Sequence, residues 1–433
     1  MSPVSRRLLG IALPAIASNI TVPLLGLVDS AIVGHLGSAS YIAAVAVGTT
    51  VFNVVYWTLG FLRMATSGLA AQSFGANNPQ MSFLVLLRSL AISLALAALL
   101  LLLGHPLFEG ALWIMHPTPE TSQLSSIYFH ILLFGAPAML CQMSLTGWFV
   151  GMQDTRSTLV VALVQNVVNI IASSLLVFGI GLKVEGVALG TLIAQWTAAG
   201  TGYLIFRKRY AHIRSNIPLA LVLSKRGFSR LLRVSRDLFF RTLCLVSVML
   251  FLTVAGSWMG DTTLAANTLL MQFYLLLSYI MDGFAYAGEA LSGEAMGACS
   301  QTRLSQLVHC LFGWGSITAL AFTLAYALGG NDILSLLTSE THVLSQAHSC
   351  LPWLIALPLT ATWAFLWDGV YVGLTMTRQM FLTSALATAC FFLSYVLSVS
   401  HLGVHGLWLA FLLFLFVRGF SQWMVYRFHP VKI

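Results

Sequence analysis

The sequence predicts an all-α polytopic membrane protein, with twelve transmembrane helices in two pseudo-symmetric six-helix lobes. Three observations lead there. The 433 residues are 58% hydrophobic and only 8% charged, where a soluble domain carries roughly 25% charged residues. Apolar runs of about twenty residues, the length that crosses hydrocarbon, recur along a chain whose mean hydropathy is +0.88. The second half also repeats the first at a nearly constant offset.

Lipid satisfies no backbone hydrogen bond, so the apolar runs are helices. Strands of an outer-membrane barrel would alternate apolar and polar residues, and these runs do not. The spans fall at 8–34, 41–73, 83–104, 123–148, 157–181, 184–206, 229–257, 264–290, 306–329, 344–372, 379–400 and 404–426. Span one opens on "SRRLLGIALPAIAS", which looks like a secretory signal. Its apolar run continues through Pro23 to Val33, however, and the repeat needs it, so it is read as retained. Pro14 and Pro23 each remove a backbone donor and let this helix bend. Near its end stands Asp29, about 32 Å of helix beyond Leu8, a carboxylate in an apolar run without Lys or Arg nearby.

Span two carries Arg63, the exception in a membrane-embedded part otherwise poor in Lys and Arg; it can snorkel to the surface. Span four holds His130, the histidine lying deepest in a span. Span five, "VQNVVNIIASSLLVFGIG", carries Asn166, Asn169 and Ser173 at i, i+3 and i+7, a polar stripe on an apolar helix. Such a stripe can glue helices together, or face one cavity with Asp29. Residues 207–228 link the halves, giving lobes at 1–206 and 229–433. Span seven opens with Arg236, Asp237 and Arg241, where Asp237 and Arg241 can pair at i,i+4. Asp282 and Glu289, seven apart in span eight, share a helix face, and Asp368 precedes Gly369 in span ten. The six cysteines, with no CxxC and no His/Cys cluster, read as small buried hydrophobes.

The repeat rests on six anchors in order. "LLGIALP" (8–14) matches "LLRVSRD" (231–237), and "GHLGSASYIAA" (34–44) matches "SWMGDTTLAAN" (257–267), pairing Gly37 with Gly260. Gly60-Phe61 matches Gly283-Phe284. "SFGA" (73–76) matches "AMGA" (295–298), "GWFVGMQDTR" (147–156) matches "GVYVGLTMTR" (369–378), and "VEGVAL" (184–189) matches "VHGLWL" (404–409). Six spans per half is an even number, so the halves enter the membrane alike, as parallel repeats about an axis along the membrane normal.

Basic residues set the orientation. Arg6, Arg7, Arg88, Arg156, the cluster from Arg207 to Arg241, Arg303, Arg378, Arg427 and Lys432 fall at the termini or in even-numbered loops, and the odd-numbered loops carry Lys183 alone. The positive-inside rule therefore predicts cytoplasmic termini and a cytoplasmic linker. The net charge of +8 is a topology signal, so no nucleic-acid partner is expected.

Two facing bundles suggest alternating access, which needs an energy source. The chain has no GxxxxGK[ST] loop, so ATP coupling is not expected. An ion gradient is the remaining driver, and Asp29 is the leading coupling group, with Asp282, Glu289 and Asp368 secondary. Burial penalises an ionised carboxylate. A carboxylate poised to exchange a proton for a cation would couple inward proton flow to outward cation movement. No cofactor, metal or nucleophile–base pair is apparent, which predicts no enzyme activity.

The stretches "NITVPLLGLVDSAIVGHLGS", "GFLRMATSGLAAQSFGA", "NVVNIIASSLLVFGIGLKVEGVALGTLIAQ" and "DGFAYAGEALSGEAMGA" resemble the MATE multidrug and toxic-compound extrusion transporters, with the DinF-like branch closest. The resemblance covers essentially the whole chain. It implies a bacterial inner-membrane protein, expected as a monomer, that exports amphipathic, often cationic compounds in exchange for H⁺ or Na⁺. It also implies an N-lobe pocket of Asp29, Tyr128, Asn169 and Thr191. One departure stands out: the frequent N-x-x-x-D of helix five is Asn169-Ile-Ile-Ala-Ser173 here, so a second carboxylate is missing. That favours H⁺ over Na⁺, because one carboxylate with neutral oxygens holds a bare cation less well. The alternatives are Na⁺ coupling through the C-lobe acids and a flippase for lipid-linked saccharides. A channel would place matching polar residues in both lobes, yet Asp29 corresponds to Leu252.

Overall fold

The computed structural model describes residues 2–36, 38–213, 217–222 and 224–428, apart from the side chains of Val22, Leu24, Leu25, Leu27, Leu219, Ala220 and Arg226. Gly37 of the repeat, Arg214 of the basic cluster, residues 214–216 and 223 of the linker, and Lys432 lie outside the described residues. Helices follow one another throughout, and no strand occurs among the described residues.

Each of the twelve expected spans is helical. They are α1 (Pro3–Gly34), α2 and α3 (Ala39–Leu59, Phe61–Gly75), α4 (Pro79–Met115), α5 and α6 (Pro119–Leu133, Ala136–Gly151), α7 (Thr155–Ser174) and α8 (Val184–Arg209). After a short helix α9 (Leu219–Val222) come α10 (Lys225–Trp258), α11 (Asp261–Gly297), α12 (Gln301–Leu337), α13 (Thr341–Gly373), α14 (Thr377–Leu402) and α15 (Val404–Phe428). By length and composition, nine helical stretches among the described residues can cross a membrane, α2 with α3 counting as one. The pair α5–α6, bent by 52°, makes a tenth. α1 and α8 bring the helical segments to twelve; Glu185 and Gln195 dilute the apolar character of α8.

Several helices run well past the apolar spans. The expected 83–104 becomes 79–115, because capping residues and not hydropathy fix the ends. Asn78 accepts from the Met81 amide at 2.9 Å, with Pro79 in the first turn, and His116 closes the helix in the left-handed region. α1 is unbroken through Pro14 and Pro23.

The repeat reappears as backbone geometry. Four helices, α3, α6, α11 and α13, end on the same turn. A residue with φ near 50–60° follows each helix cap: Asn77 (52°), Gln153 (63°), Cys299 (51°) and Thr375 (54°). In each turn the next amide reaches back five residues, as in Asn78 N–H to Ser73 O at 3.0 Å and Ser300 N–H to Ala295 O at 3.0 Å. The same bond runs from Asp154 N–H to Phe149 O at 2.8 Å and from Met376 N–H to Tyr371 O at 2.9 Å.

Close helix contacts repeat as well. A Cβ on Gly147 would overlap the Arg63 carbonyl, and one on Gly151 would lie 2.6 Å from the Ser67 carbonyl oxygen. In the second half, a Cβ on Gly369 would overlap the Ala285 carbonyl and one on Gly373 the Glu289 carbonyl. Both halves therefore use a Gly-x-x-x-Gly face to bring two helix backbones together, as membrane helices without a hydrophobic driving force do.

The helices group into two units, residues 17–232 and residues 1–16 with 233–433. In the second, the start of α1 packs on α11, where a Cβ on Gly283 would meet the Ile16 amide at 2.8 Å and the Ala12 carbonyl at 3.1 Å. In the first, Arg88 on α4 anchors the linker: Nε donates to Val222 O at 3.1 Å, and Nη2 to Leu221 O and Ser224 Oγ, both at 2.9 Å.

Candidate functional site

Within residues 17–232, an apolar cluster draws together Ile32 and Val33 of α1, Val45 and Phe52 of α2, Tyr128 and Phe129 of α5, and Val187 and Ala188 of α8, with Val28 packed against it. Asp29 follows Val28 on α1, five residues before the end of the helix, and is half-buried. Its Oδ1 is buried without a hydrogen-bond partner. Its charge acts on the Tyr128 phenol, and the buried Tyr128 hydroxyl lies 3.3 Å from Thr49 Oγ1 on α2.

The polar stripe of α7 divides its contacts. Asn166 Nδ2 donates to the Thr21 carbonyl of α1 at 3.1 Å. Asn169 Nδ2 donates to Thr191 Oγ1 of α8 at 2.9 Å, and Thr191 in turn donates to the Val187 carbonyl at 3.0 Å. Ser173 faces Gly190 of α8, where any Cβ would collide with it. Asn169 and Ser173 are fully buried, yet Asn169 Oδ1 and Ser173 Oγ have no hydrogen-bond partner. Buried polar atoms are nearly always satisfied. Asp29 Oδ1, Asn169 Oδ1 and Ser173 Oγ are three such oxygens on α1 and α7 of one unit, each open to a hydrogen-bond donor or a cation.

The other unit holds a different chemistry. Asp368 on α13 is gripped from three sides: Arg241 of α10 pairs with Oδ2, Gln422 of α15 donates to Oδ1 at 2.7 Å, and Arg418 of α15 lies 3.8 Å from Oδ2. Arg418 is 2% exposed and stacks over Phe365 and Phe414, 5.5 Å from each ring centre. Asp282 on α11 is half-buried and acts on the buried Tyr274 together with Arg418, Arg241 and Asp368. Glu289 is 1% exposed, its backbone carbonyl against Gly373.

These contacts correct parts of the sequence reading. Arg241 pairs across to Asp368 and not with Asp237, which takes Arg236 at 2.9 Å and Thr377 Oγ1 at 3.3 Å instead. Arg63 is not the one cation within a span: Arg88, Arg241 and Arg418 lie inside expected spans too, each bound to an acceptor on another helix. The stripe does not converge on Asp29 as a unit, since Asn166 turns to the α1 backbone. Of the cysteines only Cys350 is buried, and Cys299 is exposed in its turn. His130 is half-buried, its Nδ1 on the Ser126 carbonyl at 2.7 Å. Leu252, opposite Asp29 in the repeat, is buried. Sequence reasoning missed Thr49, the partner of Tyr128, for which the one signal was the Thr49-Thr50 pair in an apolar run. It also missed Arg418 and Gln422, four apart in the last span.

Residues 14–175 and again 238–399 match the family described as MatE. The chain belongs to the MatE family. The two matched stretches start 224 residues apart, at residues 14 and 238, so the MatE unit itself occurs twice, as the anchors and the shared turns require. The chain is 39% identical to the DNA damage-inducible protein F of Escherichia coli K12 over 420 residues, covering 97% of this chain and 91% of that one. It is 29% identical to human multidrug and toxin extrusion protein 1 over 201 residues, covering 45% of this chain and 34% of that one. Among solved structures, a MATE in complex with MaD3S superposes with a TM-score of 0.89 at 19% identity, over 99% of this chain and 96% of that one. An outward-facing multidrug resistance MATE family transporter gives 0.88 at 19% identity, over the same shares of each chain. The MatE fold, two six-helix lobes, is thus the fold of this multi-pass membrane protein.

Proposed function

We propose that this protein is a multidrug extrusion transporter of a bacterial inner membrane, exporting amphipathic and cationic compounds by H⁺ antiport with Asp29 as the protonation switch. The observation that carries the switch is the buried, partnerless Oδ1 of Asp29. Burial without a donor penalises an anion, and a bound proton gives the carboxyl group a donor of its own. When the proton leaves, the carboxylate attracts a cation; when it returns, the cation is released. Tyr128, Asn169, Ser173 and Thr191 form the hydrogen-bonding surroundings, and Asn166 holds the α1 backbone. On this reading both termini are cytoplasmic, the lobes are 1–206 and 229–433, and a monomer suffices.

The same partnerless oxygens support a second reading, in which Na⁺ replaces H⁺ at the same place. Asp368 is a poorer Na⁺ ligand, because Arg241, Arg418 and Gln422 already crowd its oxygens.

The test is transport by purified protein in proteoliposomes containing a fluorescent cationic dye, with a pH gradient or a Na⁺ gradient imposed separately. Export driven by the pH gradient and abolished by Asp29→Asn is the expected outcome. Export driven by Na⁺ that survives Asp29→Asn sinks the proposal and moves coupling to the other unit. Protein that moves lipid-linked saccharide but no dye is a flippase instead.

A further inference from the structure

We propose that the first turns of α1, the end of α11 and the start of α12 form a binding site for the phosphate headgroup of an anionic lipid. These segments, all within one unit, enclose a cavity of ≈ 420 Å³ lined by Arg7, Glu294, Arg303 and Gln306, with Leu291 and Leu307 as its apolar wall. Glu294 stands between the two arginines, with Oε2 2.6 Å from Arg7 Nη2 and Oε1 3.9 Å from Arg303 Nη1. The arginine side chains are 52% and 62% exposed, against 13% for Glu294. Two cations therefore present themselves at the cavity around one recessed carboxylate.

The backbone adds to this. α1 starts with Pro3 and α12 with Gln301, so two helix N-termini, each the positive end of a long dipole, lie beside the arginines. Ser5 Oγ, 3.1 Å from Cys310 Sγ, ties α1 to α12 and keeps the cavity walled. Guanidinium forks match phosphate oxygens in pairs.

The location selects the source of the phosphate. Leu291 and Leu307 continue into the membrane-crossing lengths of α11 and α12, so a glycerophosphate seated on Arg7 and Arg303 would lay its acyl chains along an apolar surface. Basic pockets between transmembrane helices at a cytoplasmic surface hold anionic headgroups in this manner. The leaflet assignment rests on the proposed cytoplasmic termini; the binding chemistry does not. Glu294 acts as the resident anion that the lipid phosphate displaces from Arg7.

The test is native mass spectrometry of the full-length protein in detergent, titrated with dioleoylphosphatidylglycerol, with dioleoylphosphatidylcholine and, separately, with inorganic phosphate. The expected result is one phosphatidylglycerol retained beyond the phosphatidylcholine level. Arg7→Gln should weaken it about fivefold, and Arg7→Gln with Arg303→Gln on the order of thirtyfold. The Arg7→Lys/Arg303→Lys protein should keep most of the binding, which separates lost charge from lost fold, and Glu294→Gln should tighten it. Equal retention of the two lipids, or undiminished binding in the double Gln variant, overturns the site. Displacement of the lipid by millimolar phosphate overturns its assignment to lipid. No arm measures transport, so failure here leaves the coupling mechanism untouched.

Discussion

Asp29 and Asp368 are both carboxylates within expected spans, and removing their charges should have opposite consequences. Asp368→Asn takes one anion from between Arg241 and Arg418, whose side chains are 11% and 2% exposed. Breaking a buried ion pair from one side costs about 3–5 kcal/mol, because the partner charge is left uncompensated. Asp29→Asn removes a group whose buried Oδ1 has no partner, so no hydrogen bond is lost there and the change should stay within about 1 kcal/mol. At roughly 1–2 °C per kcal/mol for a chain of this length, Asp368→Asn should lower the unfolding temperature in detergent by about 3–10 °C. Asp29→Asn should move it by no more than about 2 °C. Intrinsic tryptophan fluorescence on heating gives both values. Arg418→Met supplies a third, smaller drop, since Asp368 keeps Arg241 and Gln422. If Asp29→Asn falls as far as Asp368→Asn, Asp29 is a structural residue and the switch has to be sought elsewhere. If Asp368→Asn does not fall at all, the charge cluster is not holding its helices, and Asp368 returns to the coupling candidates.

Two further outcomes check the packing. Gly151→Ala places a methyl 2.6 Å from Ser67 O, 2.7 Å from Ala70 Cβ and 2.9 Å from Ala71 N, so α3 and α6 must part, at about 1–3 kcal/mol. Gly200→Ala, with nothing within 4 Å, should be neutral or stabilising by up to about 1 kcal/mol, and equal melting of the two variants would refute the close contact. Arg88→Met removes three donors to residues 221–224. Trypsin should then cut within 207–228 several-fold faster, and an unchanged digestion rate would show that Arg88 does not anchor the linker.

The fold was legible because hydrocarbon imposes one solution on each apolar run, and because Gly-x-x-x-Gly faces and their following turns are written into the repeat anchors. Helix ends were less legible: Asn78, Thr118 and Ser300 cap helices outside the apolar runs, where hydropathy carries no signal. At the site, the resemblance grouped Asp29 with Tyr128, and the Asp29 charge acts on the Tyr128 phenol. Pairings were read less well. Asp237 and Arg241 are four apart on a helix, so local spacing suggested a pair, but the partner that wins, Asp368, is 127 residues away. Spacing on one helix says which side chains share a face and nothing about which helix that face meets. Arg418 was invisible for the same reason, since only Asp368, Phe365 and Phe414 explain a guanidinium buried in the last span.

α1 connects the proposed switch to the rest of the molecule. Residues up to Ile16 pack within one unit, with Arg7 on Glu294 and Ala12 and Ile16 against Gly283; residues from Ala17 onward pack within the other, with Thr21 bound by Asn166 and the Asp29 charge acting on Tyr128. The change of environment falls between Pro14 and Pro23. Each proline lacks an N–H, so α1 forgoes the helical bonds to the carbonyls of Gly10 and Asn19, one on either side of the Ile16/Ala17 division. On the proposed reading, a proton arriving at Asp29 acts on the half of α1 that packs within residues 17–232. Asn166 holds the Thr21 carbonyl inside the stretch bracketed by the two prolines. The sequence thus puts the lone carboxylate of α1 less than two turns after Pro23, where, on the proposed reading, a missing helical bond makes adjustment cheap.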